Sequence, residues 1–124
     1  MKILVVDDSS IMRKIVTRTL RQAGFGGHDI EEAENGVEAL AKIDADPPDV
    51  VLTDWNMPEM NGYEFLCNIR EDSKCNDLNV MMVTTESEIS QMAKALEAGA
   101  NEYLMKPFTK EMIAEKLEIL GLTS

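Results

Sequence analysis

The stretch ILVVDDSSIMRKIVTRTL, residues 3–20, joins a strand pattern directly to a helix pattern. Its first four residues are a continuous aliphatic run, which is typical of a parallel strand that is covered on both faces. Ser9 or Ser10 can cap the helix that follows. Apolar side chains recur in that helix at helical spacing, at Ile11, Met12, Ile15, Val16 and Leu20. The stretch therefore predicts one β-then-α unit.

The same order of patterns recurs along the rest of the chain. The further strand patterns are HDIEEA (28–33), which is weak, VVLT (50–53), VMMV (80–83) and EYLM (102–105). The helices after them carry the apolar stripes Val37, Leu40 and Ile43; Tyr63, Leu66 and Ile69; Ile89, Met92, Ala93 and Leu96; and Ile113, Leu117 and Leu120. Gly99 is expected to end the fourth helix as its C-cap. Five such units predict an α/β fold, a doubly wound five-stranded parallel sheet with helices on both faces.

Length, charge and cysteine content narrow the class of protein. A chain of 124 residues predicts one domain, over residues 1–124. The net charge of −11 argues against a nucleic-acid partner, because 23 acidic residues would repel phosphates. The first residues, MKILVVDD, predict no signal peptide, and no run is long enough to span a membrane, so we expect a cytoplasmic protein with no membrane partner. Cys67 and Cys75 match no metal motif and are predicted to be free thiols.

Polar side chains stand at the carboxyl ends of four of the five predicted strands. Strand one ends in Asp7 and Asp8, strand three in Asp54, strand four in Thr84 and strand five in Lys106. In an open parallel sheet the carboxyl ends of the strands form one rim, and ligands bind there. We therefore expect these five side chains to converge, although they span a hundred residues of sequence.

The chemistry of this set points to phosphoryl transfer. Three carboxylates held close together repel one another and favour a hard divalent cation, for which Mg²⁺ is suited. A lysine would neutralise further negative charge, and a threonine hydroxyl could donate a hydrogen bond to a phosphoryl oxygen. One carboxylate can itself be the nucleophile and form an aspartyl-phosphate.

Four motifs resemble the receiver domain of two-component response regulators. They are VDD (6–8), DWNMPEMNG (54–62), VTT (83–85) and KPF (106–108), and the similarity covers nearly the entire chain. Within this family, the motifs DWNMP and KPFT are most similar to those of the stand-alone chemotaxis regulators, and we expect no output domain to follow. The resemblance implies a flavodoxin-like strand order of 2-1-3-4-5.

The resemblance also implies a magnesium site and a phosphoacceptor. Asp54 resembles the phosphorylated aspartate of the family. Asp8 and Asp54 resemble direct Mg²⁺ ligands, Asp7 a ligand acting through water, and Asn56 a ligand through its backbone carbonyl.

Further residues resemble the parts of the family that sense the phosphoryl group. Thr84 resembles the hydroxyl that contacts this group, Lys106 the ammonium that pairs with it, and Tyr103 the aromatic switch. The Lys106–Pro107 peptide bond matches one that is usually cis in the family.

The partners implied by the resemblance are proteins. A sensor histidine kinase would be the phosphodonor, and a downstream protein would bind the face formed by helix four, strand five and helix five. The flagellar motor switch is one candidate for that target. The resemblance implies a signalling switch, expected to be a monomer, that assists its own phosphorylation and dephosphorylation.

The sequence departs from the family pattern at two places. Thr85 stands where a small residue is commoner, and residues 87–90 (SEIS) lack the lysines of the enteric chemotaxis protein.

Three alternative functions are considered. A haloacid-dehalogenase-like phosphatase would also use aspartate, Mg²⁺, threonine and lysine, but it needs Asp-x-Asp-x-Thr, and no second aspartate follows Asp54. A phosphorelay intermediate and a receiver separated from a DNA-binding output domain are alternatives within the signalling class.

Overall fold

The structure, a computed structural model, describes residues 1–123 and, at positions 86 and 87, the backbone alone. Its centre is a five-stranded parallel sheet in the order β2-β1-β3-β4-β5. The strands are β1 (Lys2–Val6), β2 (Asp29–Ala33), β3 (Val50–Asp54), β4 (Asn79–Thr84) and β5 (Glu102–Met105). The helices are α1 (Ser10–Leu20), α2 (Gly36–Ala45), α3 (Gly62–Glu71), α4 (Met92–Glu97) and α5 (Lys110–Ile119). The predicted fold class and strand order are confirmed.

Three further helical segments, which are not α-helices, lie between these elements. A π-helical turn (Arg21–Phe25) extends α1, a 3-10 turn (Ser73–Cys75) follows α3, and a second 3-10 turn (Glu86–Gln91) precedes α4. No helix in residues 1–123 is long and apolar enough to cross a membrane.

The sheet separates two apolar cores. On one face, Leu4 and Val6 of β1 pack with side chains of α2, α3 and α4. On the other face, Ile3 and Val5 pack with side chains of α1 and α5. Successive side chains of a strand point to opposite faces, so a strand between two helix layers must be apolar at every position. This requirement explains the unbroken aliphatic runs in the sequence.

The edge strand β2 explains why its sequence pattern is weak. Of its five residues, Ala33 alone is buried, while Asp29 and Glu32 are exposed. An edge strand with one solvated side does not need an apolar run. The strand nevertheless forms where the sequence predicted it, in parallel register with β1.

Some predicted helix stripes are corrected by the structure. Ile11 and Ile15 of α1 are 71% and 37% exposed, and of the predicted stripe only Val16 and Leu20 are buried. Val37 at the start of α2 is also exposed. These aliphatic side chains lie at helical spacing but outside the arc that faces the sheet.

The stripe predicted for the fourth helix is wrong at its second half. Ala93 and Leu96 are exposed, and Ala95 is buried in their place. The segment begins as a 3-10 turn, which has three residues per turn rather than 3.6. The change of period rotates the later residues away from the positions that a continuous α-helix would give them. The C-cap of α4 is Ala98 and not the predicted Gly99, which follows it with a φ of +110°.

Candidate phosphorylation site

Three aspartates meet at the carboxyl ends of the strands. Asp7 and Asp8 follow β1 and Asp54 is the last residue of β3, and each contributes a carboxylate oxygen to a group whose atoms lie within 4.8 Å of one another. Asp7 is buried, Asp54 is half-buried and Asp8 is exposed. The predicted convergence of these three side chains is confirmed. The cluster can be approached from solvent on the side of Asp8.

Lys106 is the cation of this cluster. Its Nζ lies 2.9 Å from Asp54 Oδ1 and 4.0 Å from Asp7 Oδ2. The backbone N–H of Lys106 donates a 2.7 Å hydrogen bond to the carbonyl oxygen of Thr84, which fastens the end of β5 to the end of β4. The Lys106–Pro107 peptide bond is cis, as the family resemblance implied. The side chain of Lys106, which follows β5, therefore reaches across the end of β4 to contact Asp54 at the end of β3.

Asp7 is held in an unfavourable environment for a charged group. Burial raises its pKa from 3.8 to about 6, and the negative charge of Asp54 adds to the rise. The backbone N–H of Ser9 opposes the shift by donating a 2.9 Å hydrogen bond to Asp7 Oδ1, and Lys106 opposes it as well. A nearby cation would stabilise the charged form of such a carboxylate. The donor atoms of the cluster are all oxygens, which fits a hard ion such as Mg²⁺.

Gly62 allows α3 to begin directly beneath the end of β3. A Cβ atom at this position would overlap with the carbonyl oxygen of Asp54. The N–H of Gly62 donates a 2.7 Å hydrogen bond to the carbonyl of Trp55, which closes the loop between them. The Trp55 side chain is 6% exposed and its ring centre lies 6.4 Å from that of Tyr63. Trp55 therefore packs in the core beside the cluster.

Thr84 and Tyr103 lie on the same face of the sheet. Thr84 and Met82 are two residues apart in β4, and Met82 is paired with Tyr103 in the parallel register. Thr84 is fully buried, and its hydroxyl donates a 3.3 Å hydrogen bond to the carbonyl of Thr85. Tyr103 is half-buried, with the Lys116 ammonium 4.3 Å from its ring centre. The hydroxyl of Thr84 thus contacts backbone rather than Asp54 in this conformation.

Asn56 contacts Glu88, a residue to which the sequence analysis assigned no role. Its side-chain amide donates a short hydrogen bond to Oε2 of Glu88, which is 8% exposed and lies in the 3-10 turn after β4. Glu88 Oε1 accepts hydrogen bonds from the N–H and the hydroxyl of Thr85, both of 3.0 Å. The pattern Thr-x-x-Glu at 85–88 is a capping-box signature and was the available signal.

A groove borders the site on the side of α1. It encloses about 460 Å³ and is lined by Met12, Ile15, Thr85, Lys106, Pro107 and Phe108. Its wall is mostly apolar, but Lys106 brings it to the aspartate cluster. The groove accounts for the exposure of Ile15, since this side chain lines a cavity instead of the core.

The geometry of the site and the sequence agree on one family. Residues 3–118 match the response regulator receiver domain. The chain belongs to the response regulator receiver family. Receiver domains of this kind are signalling switches and not classical enzymes, so the haloacid-dehalogenase alternative is not supported.

Several characterised relatives are chemotaxis proteins. Chemotaxis protein CheY1 of Helicobacter pylori is 48% identical over 121 residues, which are 97% of this chain and 96% of that protein. A CheY homologue of Campylobacter jejuni is 48% identical over an alignment of 126 positions, which covers 100% of this chain and 95% of that protein. CheY-3 of Vibrio cholerae is 46% identical over 95% of this chain and 89% of its own length.

Solved structures show the same fold. Chemotaxis protein CheY4 of Vibrio cholerae superposes with a TM-score of 0.85 at 37% identity, covering 96% of this chain and 97% of that one. The receiver domain of a sensor histidine kinase from Pseudomonas aeruginosa has a TM-score of 0.82 at 24% identity, with 97% of each chain covered. That protein holds a magnesium ion in its active-site cleft.

Proposed function

We propose that this receiver accepts a phosphoryl group on Asp54 from a histidine kinase and changes its binding to a downstream protein in response. The observation that carries the proposal is the 2.9 Å contact between Lys106 Nζ and Asp54 Oδ1 within a cluster of three carboxylates. A carboxylate at a solvent-accessible edge can act as a nucleophile. The ammonium beside it is already in place to stabilise the negative charge of the phosphorylated product.

The transfer step is a displacement at phosphorus. A carboxylate oxygen of Asp54 forms a bond to phosphorus while the P–N bond to the kinase histidine breaks, and the released imidazole nitrogen keeps the electron pair and is available to take up a proton. Lys106 stabilises the oxygens on which negative charge increases. Bound Mg²⁺, held by Asp8, Asp54 and the Asn56 carbonyl with Asp7 acting through water, would supply further neutralisation.

Chemotaxis is the proposed output. The relatives named above are chemotaxis proteins, and each is covered by this chain over nearly its whole length. The surface formed by α4, β5 and α5 is the proposed target face, because Tyr103 and Lys116 link it to the sheet that carries the site. The flagellar motor switch is the proposed target.

Phosphotransfer from kinases of the same organism tests this function. Each candidate kinase is labelled with radioactive phosphate and mixed with the wild-type chain, with Asp54→Asn, or with Asp44→Asn, an exposed α2 residue that serves as a control. A cognate kinase should label the wild type and Asp44→Asn within seconds and leave Asp54→Asn unlabelled. Equal labelling of Asp54→Asn would show that another residue accepts the group.

A further inference from the structure

Glu88 is a buried carboxylate that the proposed chemistry does not use. Among the side chains that the structure describes, Asp7 and Glu88 are the buried carboxylates, at 4% and 8% exposure. Burying a carboxylate is costly unless its oxygens receive hydrogen bonds. The partners of Glu88 therefore indicate its role.

These partners belong to two different loops. Oε1 accepts from the N–H and the hydroxyl of Thr85, and Oε2 accepts from the side-chain amide of Asn56. Asn56 lies two residues after Asp54, and Thr85 lies one residue after Thr84. Glu88 thus joins the loop after β3 to the loop after β4, across 32 residues of sequence.

The joined loops border the opening to the aspartate cluster. Thr85 lines the groove of about 460 Å³ together with Lys106, whose ammonium contacts Asp54. Because Glu88 holds both the backbone N–H and the hydroxyl of Thr85, it fixes this part of the groove wall. Releasing Glu88 would free the wall to move away from the site.

We propose that Glu88 is a positioning residue, whose carboxylate clasps the two loops together and limits the access of water to the phosphoryl group on Asp54. The inference rests on the proposed phosphorylation of Asp54.

In hydrolysis, a water oxygen bonds to phosphorus while the bond from phosphorus to the Asp54 oxygen breaks. The carboxylate leaves with the electron pair, and the water proton is released with the inorganic phosphate. The clasp slows this step by keeping Thr85 at the opening.

A purely local role is the competing explanation, and the chain contains a control for it. Thr85 and Glu88 form a capping box at the start of the 3-10 turn, which by itself would only stabilise that turn. Asn61 and Glu64 form the same capping box at the start of α3, where Glu64 is exposed. Removing Glu64 therefore reproduces the loss of a cap at a place that does not join the two loops.

The test is the first-order loss of the phosphoryl group after the donor is removed, followed by intact mass in the presence of Mg²⁺. We expect Glu88→Ala to lose it about five- to tenfold faster than the wild type, since one buried group and its hydrogen bonds are gone. Glu88→Gln should stay close to the wild type, because its amide oxygen can accept from Thr85 and its NH₂ can donate to Oδ1 of Asn56 once the Asn56 side-chain amide turns over. Glu64→Ala should also match the wild type.

A second variant reaches the clasp from its other end. Asn56→Ala removes the amide that Glu88 binds and leaves the Thr85–Glu88 capping box in place. Asn56→Ala should accelerate the loss of the phosphoryl group as well. The double variant Glu88→Ala/Asn56→Ala should lose it no faster than the faster single variant, because both substitutions break the same contact between Asn56 and Glu88. Asn56→Ala also keeps the proposal testable if Glu88→Ala does not fold.

Two results would overturn the clasp while leaving phosphorylation of Asp54 intact. One is an unchanged rate of loss in both Glu88→Ala and Asn56→Ala. The other is a Glu88→Gln rate as fast as that of Glu88→Ala, which would assign the effect to the negative charge and not to the joined loops. A wild-type chain that never carries a phosphoryl group on Asp54 would overturn the proposed function together with the clasp.

Discussion

Lys106 Nζ and Asp54 Oδ1 are 2.9 Å apart, so the proposed nucleophile already has a cationic partner. The two residues come from β3 and from the end of β5, with β4 between them in the sheet. Their contact depends on the whole sheet being formed in register. The site is therefore a property of the fold and not of a local sequence segment.

The first prediction concerns the contribution of this lysine to phosphorylation. Lys106→Met removes the ammonium and keeps most of the side-chain length. We expect the rate of phosphorylation by acetyl phosphate to fall by about 10²–10³-fold, the usual effect of removing one group that stabilises the developing charge. Lys110→Met, an exposed substitution in α5, is the control and should react like the wild type. A Lys106→Met rate within twofold of the control would contradict this role.

The second prediction concerns stability without metal. Asp7 has a pKa of about 6 in the folded chain against 3.8, so its charge destabilises the fold at neutral pH. With Mg²⁺ removed by a chelator, Asp7→Asn should raise the free energy of unfolding at pH 7 by about 1–3 kcal/mol. The neutral side chain keeps an acceptor for the Ser9 N–H.

The pH dependence of this difference provides its check. A group with a raised folded pKa binds more protons when folded, so the wild type gains stability as the pH falls from about 6 towards 4. The advantage of Asp7→Asn should shrink over that range in urea titrations. An advantage that stays constant between pH 7 and pH 4.5 would mean that the charge of Asp7 is not its cause.

The third prediction concerns the metal. Asp8 is the exposed member of the carboxylate cluster, and Trp55 is buried next to Asp54. Titration with Mg²⁺ should change Trp55 fluorescence in a saturable way, and Asp8→Ala should weaken the apparent affinity at least about tenfold, since one of the few protein ligands is lost. Identical titration curves for the two proteins would rule out Asp8 as a ligand.

The fourth prediction concerns transmission to the α4–β5–α5 face. Thr84 and Tyr103 lie on one face of the sheet, and the Lys116 ammonium rests 4.3 Å from the Tyr103 ring centre. If the Thr84 hydroxyl is drawn to the phosphoryl group and Tyr103 turns inward, the ring leaves Lys116. Phosphorylation should then shift the NMR signals of the Tyr103 ring and of the Lys116 side chain. A coupling of about 1–3 kcal/mol would change the populations roughly 5–150-fold.

Thr84→Ala separates this coupling from simple packing. At equal phosphorylation of Asp54, Thr84→Ala should keep the Tyr103 and Lys116 signals of the unphosphorylated protein. Thr19→Val removes a buried hydroxyl of α1 and should behave like the wild type. Full shifts in phosphorylated Thr84→Ala would show that Thr84 does not transmit the signal.

The sequence was sufficient for the sheet and for the convergence of charged residues. Unbroken aliphatic runs such as residues 3–6 are required of strands with helices on both faces, and they identify these strands reliably. In a parallel sheet the carboxyl ends of the strands lie along one edge, so the sequence alone predicts that Asp7, Asp54 and Lys106 lie close together. The structure adds the contacts of 2.9 Å and 4.0 Å.

Other features depend on information that a periodic pattern does not carry. The burial of Ala95 instead of Leu96 follows from a 3-10 turn, whose period differs from that of an α-helix. Ile15 has the spacing of a core residue and lines a groove. The bond between Asn56 and Glu88 joins loops that are far apart in sequence, so no local pattern could reveal it.

Phosphorylation of Asp54 can be measured from the mass of the intact protein after incubation with acetyl phosphate and Mg²⁺, followed by location of the modified residue. Because the lysine and the carboxylate cluster belong to this chain, it should phosphorylate itself without a kinase. We expect one added phosphoryl group, located on Asp54 and absent from Asp54→Asn. A wild-type chain that gains no mass, or an Asp54→Asn chain that gains the same mass, would contradict this expectation.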